Sequence, residues 1–326
     1  MFKQPSALLA AIGNTPLVRV NFPSAGTICA KLEYLNPGGS VKDRSALYMI
    51  EWAEKNGMLR PGGTIIDASS GNHGIAVAMI GAAKGYKVII AVSEKVSTEK
   101  LNTLRAYGAQ VIMCPPTDFL EHPDSYHSVA TRLHQETPNS FMPNQYFNIV
   151  NAEAHERLLG PEIWEQTAGK VTHFFAGAGT GGTVSGVGRY LKKQNPAIKV
   201  IALDAATSFR ATHGRPQPYK VEGMGIDFVS PVFDESVIDE IIPVTDADAL
   251  AMLKTMAIQH GLLIGPSSGA VAYAASVYAQ KLGPNDLAVM IFGDSGRAYL
   301  TKGFYAQEAV THVNQQPSIT PVQTSL

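Results

Sequence analysis

Two cysteines in 326 residues, Cys29 and Cys114, are too few for a disulfide framework, and no Cys/His spacing of a metal site accompanies them. Each sits in an apolar stretch that reads as a strand, 27–32 and 111–114, so both are expected as buried, reduced thiols. The chain also lacks an excess of either charge: 26 Lys and Arg stand against 27 Asp and Glu. That balance removes the electrostatic footing for nucleic acid or an anionic membrane. Long hydrophobic runs are missing too. The N-terminal apolar run at 7–12 is too short to span a bilayer and poorly formed as a signal sequence. A cytoplasmic protein acting on a small molecule, without metal, is the expectation.

What is present is 45% hydrophobic residues, enough to bury a sizeable core in one large domain or two. Short β-rich runs at 64–67, 87–92, 110–114, 172–177, 199–204 and 287–292 alternate with helical stretches at 75–84, 97–107, 125–136, 152–167, 183–194, 247–259 and 268–281. The alternation predicts an α/β fold with parallel sheets covered on both faces. The stretch 75–83 is apolar on every side, so as a helix it must be enclosed by protein. Segments 115–123 and 138–151 read as irregular connections, and the polar stretch 307–326 as a flexible tail.

Three loops carry chemistry. Gly177-Ala-Gly-Thr-Gly-Gly-Thr183 lies between an apolar strand and a helix; glycines let a ligand approach, and the free N–H groups of the helix start suit a phosphate. Gly177, Gly179 and Gly182 also satisfy G-x-G-x-x-G, with Asp204 near the place of a ribose-binding acid, so a nicotinamide-dependent oxidoreductase stays open. So does a turn required only for packing. The second loop, Ser69-Ser70-Gly71-Asn72-His73-Gly74, offers hydroxyls, an amide and backbone N–H groups to a carboxylate, or is a simple helix cap. Two anion-binding helix starts suit a ligand with two anionic ends. The third loop, Asn36 to Arg44, places Lys42 in the first turn of a helix, where the dipole disfavours a cation. That placement lowers the lysine pKa toward the neutral amine that imine formation needs. The alternative is a surface charge cluster with Asp43 and Arg44.

At these residues the chain resembles the cysteine synthase and cystathionine β-synthase family, pyridoxal-phosphate enzymes of fold type II, like the tryptophan synthase β chain. The match runs through Ile12-Gly-Asn-Thr-Pro-Leu17, Lys31 to Arg44, Ser70-Gly-Asn72, Gly179 to Thr183, Gly261 to Gly269 and Asp294-Ser-Gly296, nearly the whole chain from Ala10 to Tyr305. The resemblance implies two domains, each with a mostly parallel twisted sheet flanked by helices, and an active site in the cleft between them. Residues 1–44 and 147–306 would form the larger, cofactor-binding domain, and 45–146 the smaller, mobile one. Lys42 matches the lysine that forms the imine with pyridoxal 5'-phosphate and moves the α-proton. Asn72 matches the residue beside the cofactor's phenolic oxygen, and Gly179, Thr180, Gly181, Gly182 and Thr183 the phosphate loop. Ser267 matches the serine at the pyridine nitrogen. Ser69, Ser70, Gly71 and His73 match the clasp on the substrate carboxylate, with Gln145 a second contact.

The activity this implies is β-replacement on O-acetylserine or serine, through an aminoacrylate, with sulfide or a thiol, giving cysteine or cystathionine. A neutral serine at the pyridine nitrogen stores the carbanion poorly and so favours expulsion of a β-leaving group over transamination. The resemblance further implies a homodimer and leaves a complex with a serine acetyltransferase open. His73 departs from the threonine usual in these synthases and makes the loop look like that of the serine/threonine dehydratases of the same fold. A dehydratase or a diaminopropionate-type synthase therefore stays open beside replacement. Gly265-Pro266-Ser267 and Gly293 are further departures, expected to alter backbone detail. A non-catalytic regulatory paralogue is the remaining class, and retention of Lys42, Asn72 and Ser267 argues against it.

Overall fold

The computed structural model describes residues 7–69, 71–94, 96–117, 120–226 and 228–305. Ser70 and the expected tail at 307–326 lie outside the described residues. Strands β1 (Leu17–Arg19), β2 (Thr27–Leu32), β3 (Thr64–Ala68), β4 (Lys87–Ser93), β5 (Gln110–Cys114), β6 (Ser140–Phe141), β7 (His173–Gly177), β8 (Lys199–Ala205), β9 (Glu240–Val244) and β10 (Leu287–Phe292) build two sheets. The larger has the order β1-β2-β10-β7-β8-β9 and the smaller β5-β4-β3-β6. Only the β1–β2 pair is antiparallel among the described strands. The small sheet comes entirely from the chain between the second and third strands of the large one.

Helices cover both faces of both sheets, the arrangement that buries a parallel sheet. They are α1 (Lys42–Lys55), α2 (Asn72–Lys84), α3 (Thr98–Ala106), α4 (Tyr126–Glu136), α5 (Val150–Ala154), α6 (Gly160–Gln166), α7 (Gly182–Gln194), α8 (Asp246–His260) and α9 (Pro266–Tyr278). One core packs α8 and α9 on the large sheet through Phe175, Leu203, Leu253 and Met290; the opposite face meets α6 and α7 through Ile163, Phe174, Val187 and Ile291. On the small sheet, Ile65 and Ile90 pack on α1 and α2, while Ile66 and Ala91 pack on α4. The enclosure expected for the apolar 75–83 helix is found: His73 to Gly81 of α2 are all buried.

The structure departs from the sequence reading in four places. The predicted helix at 152–167 is broken into α5, a π-type turn at His155–Leu159 and α6. Pro161 has no N–H to give to the preceding turn, so the helical register slips just ahead of it. The region 138–151, read as irregular, contributes the edge strand β6 beside β3. β9, Glu-Ile-Ile-Pro-Val, was not anticipated because Pro243 cannot donate to a ladder; it lies at the edge of the sheet, where the missing donor costs no pairing. Both cysteines are free, but Cys29 is half-buried rather than enclosed. Among the described residues no helix is long and apolar enough to cross a membrane.

Candidate functional site

Lys42 is held in place from three sides. Ser40 bridges Asp294, the Val41 N–H donates to the Gly293 carbonyl at 2.9 Å, and the Gly38 N–H donates to Asp43 Oδ2 at 2.5 Å. The surface-cluster alternative fails: Asp43 and Arg44 are 0% and 2% exposed. Arg44 is instead locked between Glu33 and Glu162, each at 2.7 Å, with Lys31 also on Glu162. Burial alone would raise the Glu162 carboxyl; the Arg44 and Lys31 cations overcome it and hold the group down to about 2. Lys42 carries the lowered pKa that the sequence suggested, for a different leading reason. Burial pushes its amine down to about 8, and the Asp294 charge opposes the fall.

Two helix starts meet in the cleft between the sheets, and the N-cap residue of each is a glycine, Gly71 or Gly181, with no side chain to offer. Elsewhere Ser97, Ser125 and Thr245 cap α3, α4 and α8 through the N–H groups of Lys100, Ser128 and Asp248. At α2 and α7 hydroxyls from the preceding loops, Ser69 and Thr180, take one first-turn N–H each, and the other first-turn N–H groups are available to a ligand. At α7 the glycines are required by space. Gly181 has φ +88°, and a Cβ there would sit 2.6 Å from Phe233 Cβ; one at Gly179 would sit 2.7 Å from the Gly223 carbonyl oxygen. Thr180 Oγ1 accepts from the Gly182 N–H at 3.2 Å and from Asn151 Nδ2 at 3.1 Å. Thr183 Oγ1 lies 3.3 Å from Nε2 of His155, which burial keeps well below its ordinary pKa and therefore neutral.

At α2, Ser69 Oγ accepts from the Gly74 N–H at 3.1 Å and the Gly71 N–H at 3.4 Å, and Gln145 Nε2 reaches it at 3.5 Å. His73 does not cap the helix. Its Nδ1 pairs with Asp67 Oδ2 at 2.9 Å, both residues 1% exposed, and its Nε2 is buried with no partner among the described residues.

The sequence-selected residues converge. Lys42, Asn72, Gly179, Thr180, Gly181, Thr183 and Ser267 line one cavity. An adjoining cavity shares Lys42, Asn72, Gly179 and Thr180 and adds Ser69, Gly71, His73 and Gln145. Gly182 stands behind the first wall, where a Cβ would meet Asn151 Oδ1 at 2.4 Å. Asp204, the candidate ribose acid, is engaged elsewhere: its oxygens accept from Ser208 Oγ at 2.8 Å and the Ala205 N–H at 2.9 Å. Sequence reasoning gave no role to Asn151 and His155, which brace the threonines, or to Asp294, which accepts from Asn72 Nδ2 at 2.7 Å. For Asp294 a signal existed, since it follows the carboxyl end of parallel strand β10, where α/β folds place ligands. His155 had none, because the π-type turn that aims it inward is not legible in residue types.

The residues present fit a phosphorylated aldehyde of modest size: two helix starts with glycine N-caps, a lowered amine pKa and a neutral serine line one cleft. Comparison with known proteins agrees. The family described as pyridoxal-phosphate dependent enzyme matches residues 8–294. A cystathionine beta-synthase of Apis mellifera is 46% identical over 304 residues, covering 90% of this chain and 60% of that protein. A probable cysteine synthase of Bacillus subtilis is 40% identical over 301 residues, covering 90% of this chain and 96% of that one. The crystal structure of an O-acetylserine dependent cystathionine beta-synthase from Helicobacter pylori superposes with a TM-score of 0.86 at 37% identity, covering 94% of this chain and all of that one. The chain thus spans less than two thirds of the Apis relative it matches.

Proposed function

Because this chain belongs to the pyridoxal-phosphate-dependent enzyme family, we propose that it catalyses β-replacement on an activated serine, O-acetylserine or serine, with sulfide or a thiol, giving cysteine or cystathionine. The observation that carries the proposal is the convergence of Lys42, with its lowered pKa, and two helix starts with glycine N-caps on one cleft. Pyridoxal phosphate, when bound, supplies an aldehyde that condenses with amines and a ring that accepts the Cα electron pair.

The chain's own residues do the rest. Gly179 to Thr183 and the α7 start would hold the phosphate, Asn72 the phenolic oxygen and Ser267 the ring nitrogen. The Ser69 to His73 loop and Gln145 would hold the substrate carboxylate. With a pKa of about 8, roughly a tenth of the Lys42 amine is neutral at pH 7. An ordinary lysine would present well under a thousandth. Lys42 Nζ can therefore take the α-proton and return it. The proposal includes closure of 45–146 over the substrate, a homodimer and a cytoplasmic setting; a serine acetyltransferase partner is tested by co-purification.

Elimination without replacement is supported by one observation, the His73–Asp67 pair where a threonine was expected. Titrating the purified protein with serine, O-acetylserine and O-phosphoserine, then adding sulfide or homocysteine, separates the two. Replacement yields a thioether or cysteine; elimination yields a keto acid and ammonia whether or not the thiol is present. Lys42→Ala abolishes the visible absorbance of lysine-bound cofactor and the activity. Persistent covalent cofactor in that variant refutes the assignment.

A further inference from the structure

We propose that Asp294 is a positioning residue: its carboxylate fixes the Asn72 amide and holds a negative charge opposite Lys42, and so sets the pH at which the lysine-linked cofactor gains or loses its proton. The inference rests on the cofactor reading above and assigns a role to a residue outside the set that reading needs.

Asp294 lies two residues past β10 and is pinned by its backbone. It bridges Ser40 just before Lys42, and its carbonyl accepts the Gly265 N–H at 3.0 Å. A Cβ at Gly265 would fall 1.9 Å from Asp294 Oδ1, so the facing position has room for glycine alone. The side chain is 3% exposed. Its Oδ2 accepts from Asn72 Nδ2 at 2.7 Å and from the Tyr299 hydroxyl; its Oδ1 is buried with no partner among the described residues.

The charge state follows from these neighbours. Burial raises the Asp294 carboxyl, and the hydrogen bonds from Tyr299 and Asn72 together with the Lys100 charge oppose that rise and favour the anion. Charged and titratable groups reach it from four sides: Lys42 on α1, Lys100 on α3, Glu222 on the loop before β9, and Tyr299 with Tyr305 near the C-terminal end of the described chain. Lys100 pairs with Glu222, which also takes Lys302, and its charge reaches Asp294 as well. The Asp294 charge is then felt at Lys42, where it opposes the effect of burial. One Nδ2 hydrogen of Asn72 is committed to Asp294, which fixes the orientation of the amide at the cavity wall.

The test is the isosteric Asp294→Asn variant. Its visible absorbance is titrated with pH beside wild type, and the cofactor dissociation constant is measured. Loss of the charge lowers the titration midpoint by roughly one unit or more and weakens cofactor binding about tenfold. Cofactor-free protein supplies a second readout: the pH dependence of Lys42 labelling by an amine-reactive electrophile, mapped by mass spectrometry, shifts down in the variant by a similar amount. Coincident midpoints in both measurements overturn the proposal. So does a variant that loses thermal stability or cofactor affinity while its midpoints stay put, which is what a purely structural role would give. Wild type that acquires no visible absorbance with pyridoxal phosphate instead sinks the cofactor reading, a different failure.

Discussion

Burying an amine that must ionise in water makes Lys42 a destabilising residue in the cofactor-free protein. Its pKa falls from 10.5 to about 8, with burial the leading cause and Asp294 already opposing it. At 1.36 kcal/mol per unit, the fall is worth about 3 kcal/mol at pH 7. A group whose folded pKa is depressed in this way binds fewer protons folded than unfolded. The penalty is therefore full below pH 8 and fades as pH rises through the interval up to 10.5. Lys42→Met, which keeps length and removes the charge, is expected to stabilise cofactor-free protein by about 3 kcal/mol at pH 7 and by only about 1.4 kcal/mol near pH 9.5. Urea denaturation of both proteins at the two pH values, after the cofactor has been removed with hydroxylamine, measures the gap. A variant less stable than wild type, or a gap indifferent to pH, would refute the reasoning that burial controls this amine.

Three further outcomes follow from geometry. Arg44→Met leaves Glu33 and Glu162 buried without their shared cation and is expected to cost about 3–5 kcal/mol in urea denaturation. Glu162, depressed from 4.5 to about 2, contributes about 3 kcal/mol above pH 4.5 that is lost as pH falls toward 2; Glu162→Gln flattens that part of the acid-stability profile. His73→Thr strands the Asp67 carboxylate and costs about 1–3 kcal/mol, most of it recovered when Asp67→Asn is added; a double-mutant cycle showing simple additivity would contradict the pairing.

Most of the architecture was legible because period and punctuation agree in the middle of each sheet. Apolar runs bounded by turn residues located β3, β4, β5, β7, β8 and β10. The failures fall at edges and breaks. β9 carries a proline that only an edge strand tolerates, and β6 is two residues long, too short for any period. The helix read through 152–167 kept its apolar spacing, so pattern alone could not reveal that Gly160 must be bare against Tyr190, where a Cβ would lie 2.7 Å from Tyr190 Cβ, or that Pro161 forces a π-type turn. The binding loops were legible for the opposite reason, since glycine at a helix start is costly unless something approaches. Even so, residue types could not reveal that Arg44 lies inside the protein. The structure shows it enclosed because its carboxylate partners come from residues 33 and 162, far away along the chain.

The site can be understood as a balance of three fields on one amine. Burial and the start of α1 both favour the neutral form of Lys42. The Asp294 carboxylate favours the cation. Any one of these unopposed would leave the amine either permanently charged, and useless for taking a proton, or too weak a base to return it. Opposed, they place it within about one unit of neutral pH, where a group that must both accept and donate in one turnover works best. In the proposed function the anionic guests would be handled separately, by backbone N–H groups at α2 and α7 that carry no titrating charge. Affinity for phosphate and carboxylate is thereby decoupled from the lysine's protonation: raising the ionic strength should weaken substrate and cofactor binding only modestly while leaving the pH midpoint of Lys42 in place. A phosphate grip built from lysines or arginines beside Lys42 would not behave so, because each added cation would also depress the amine.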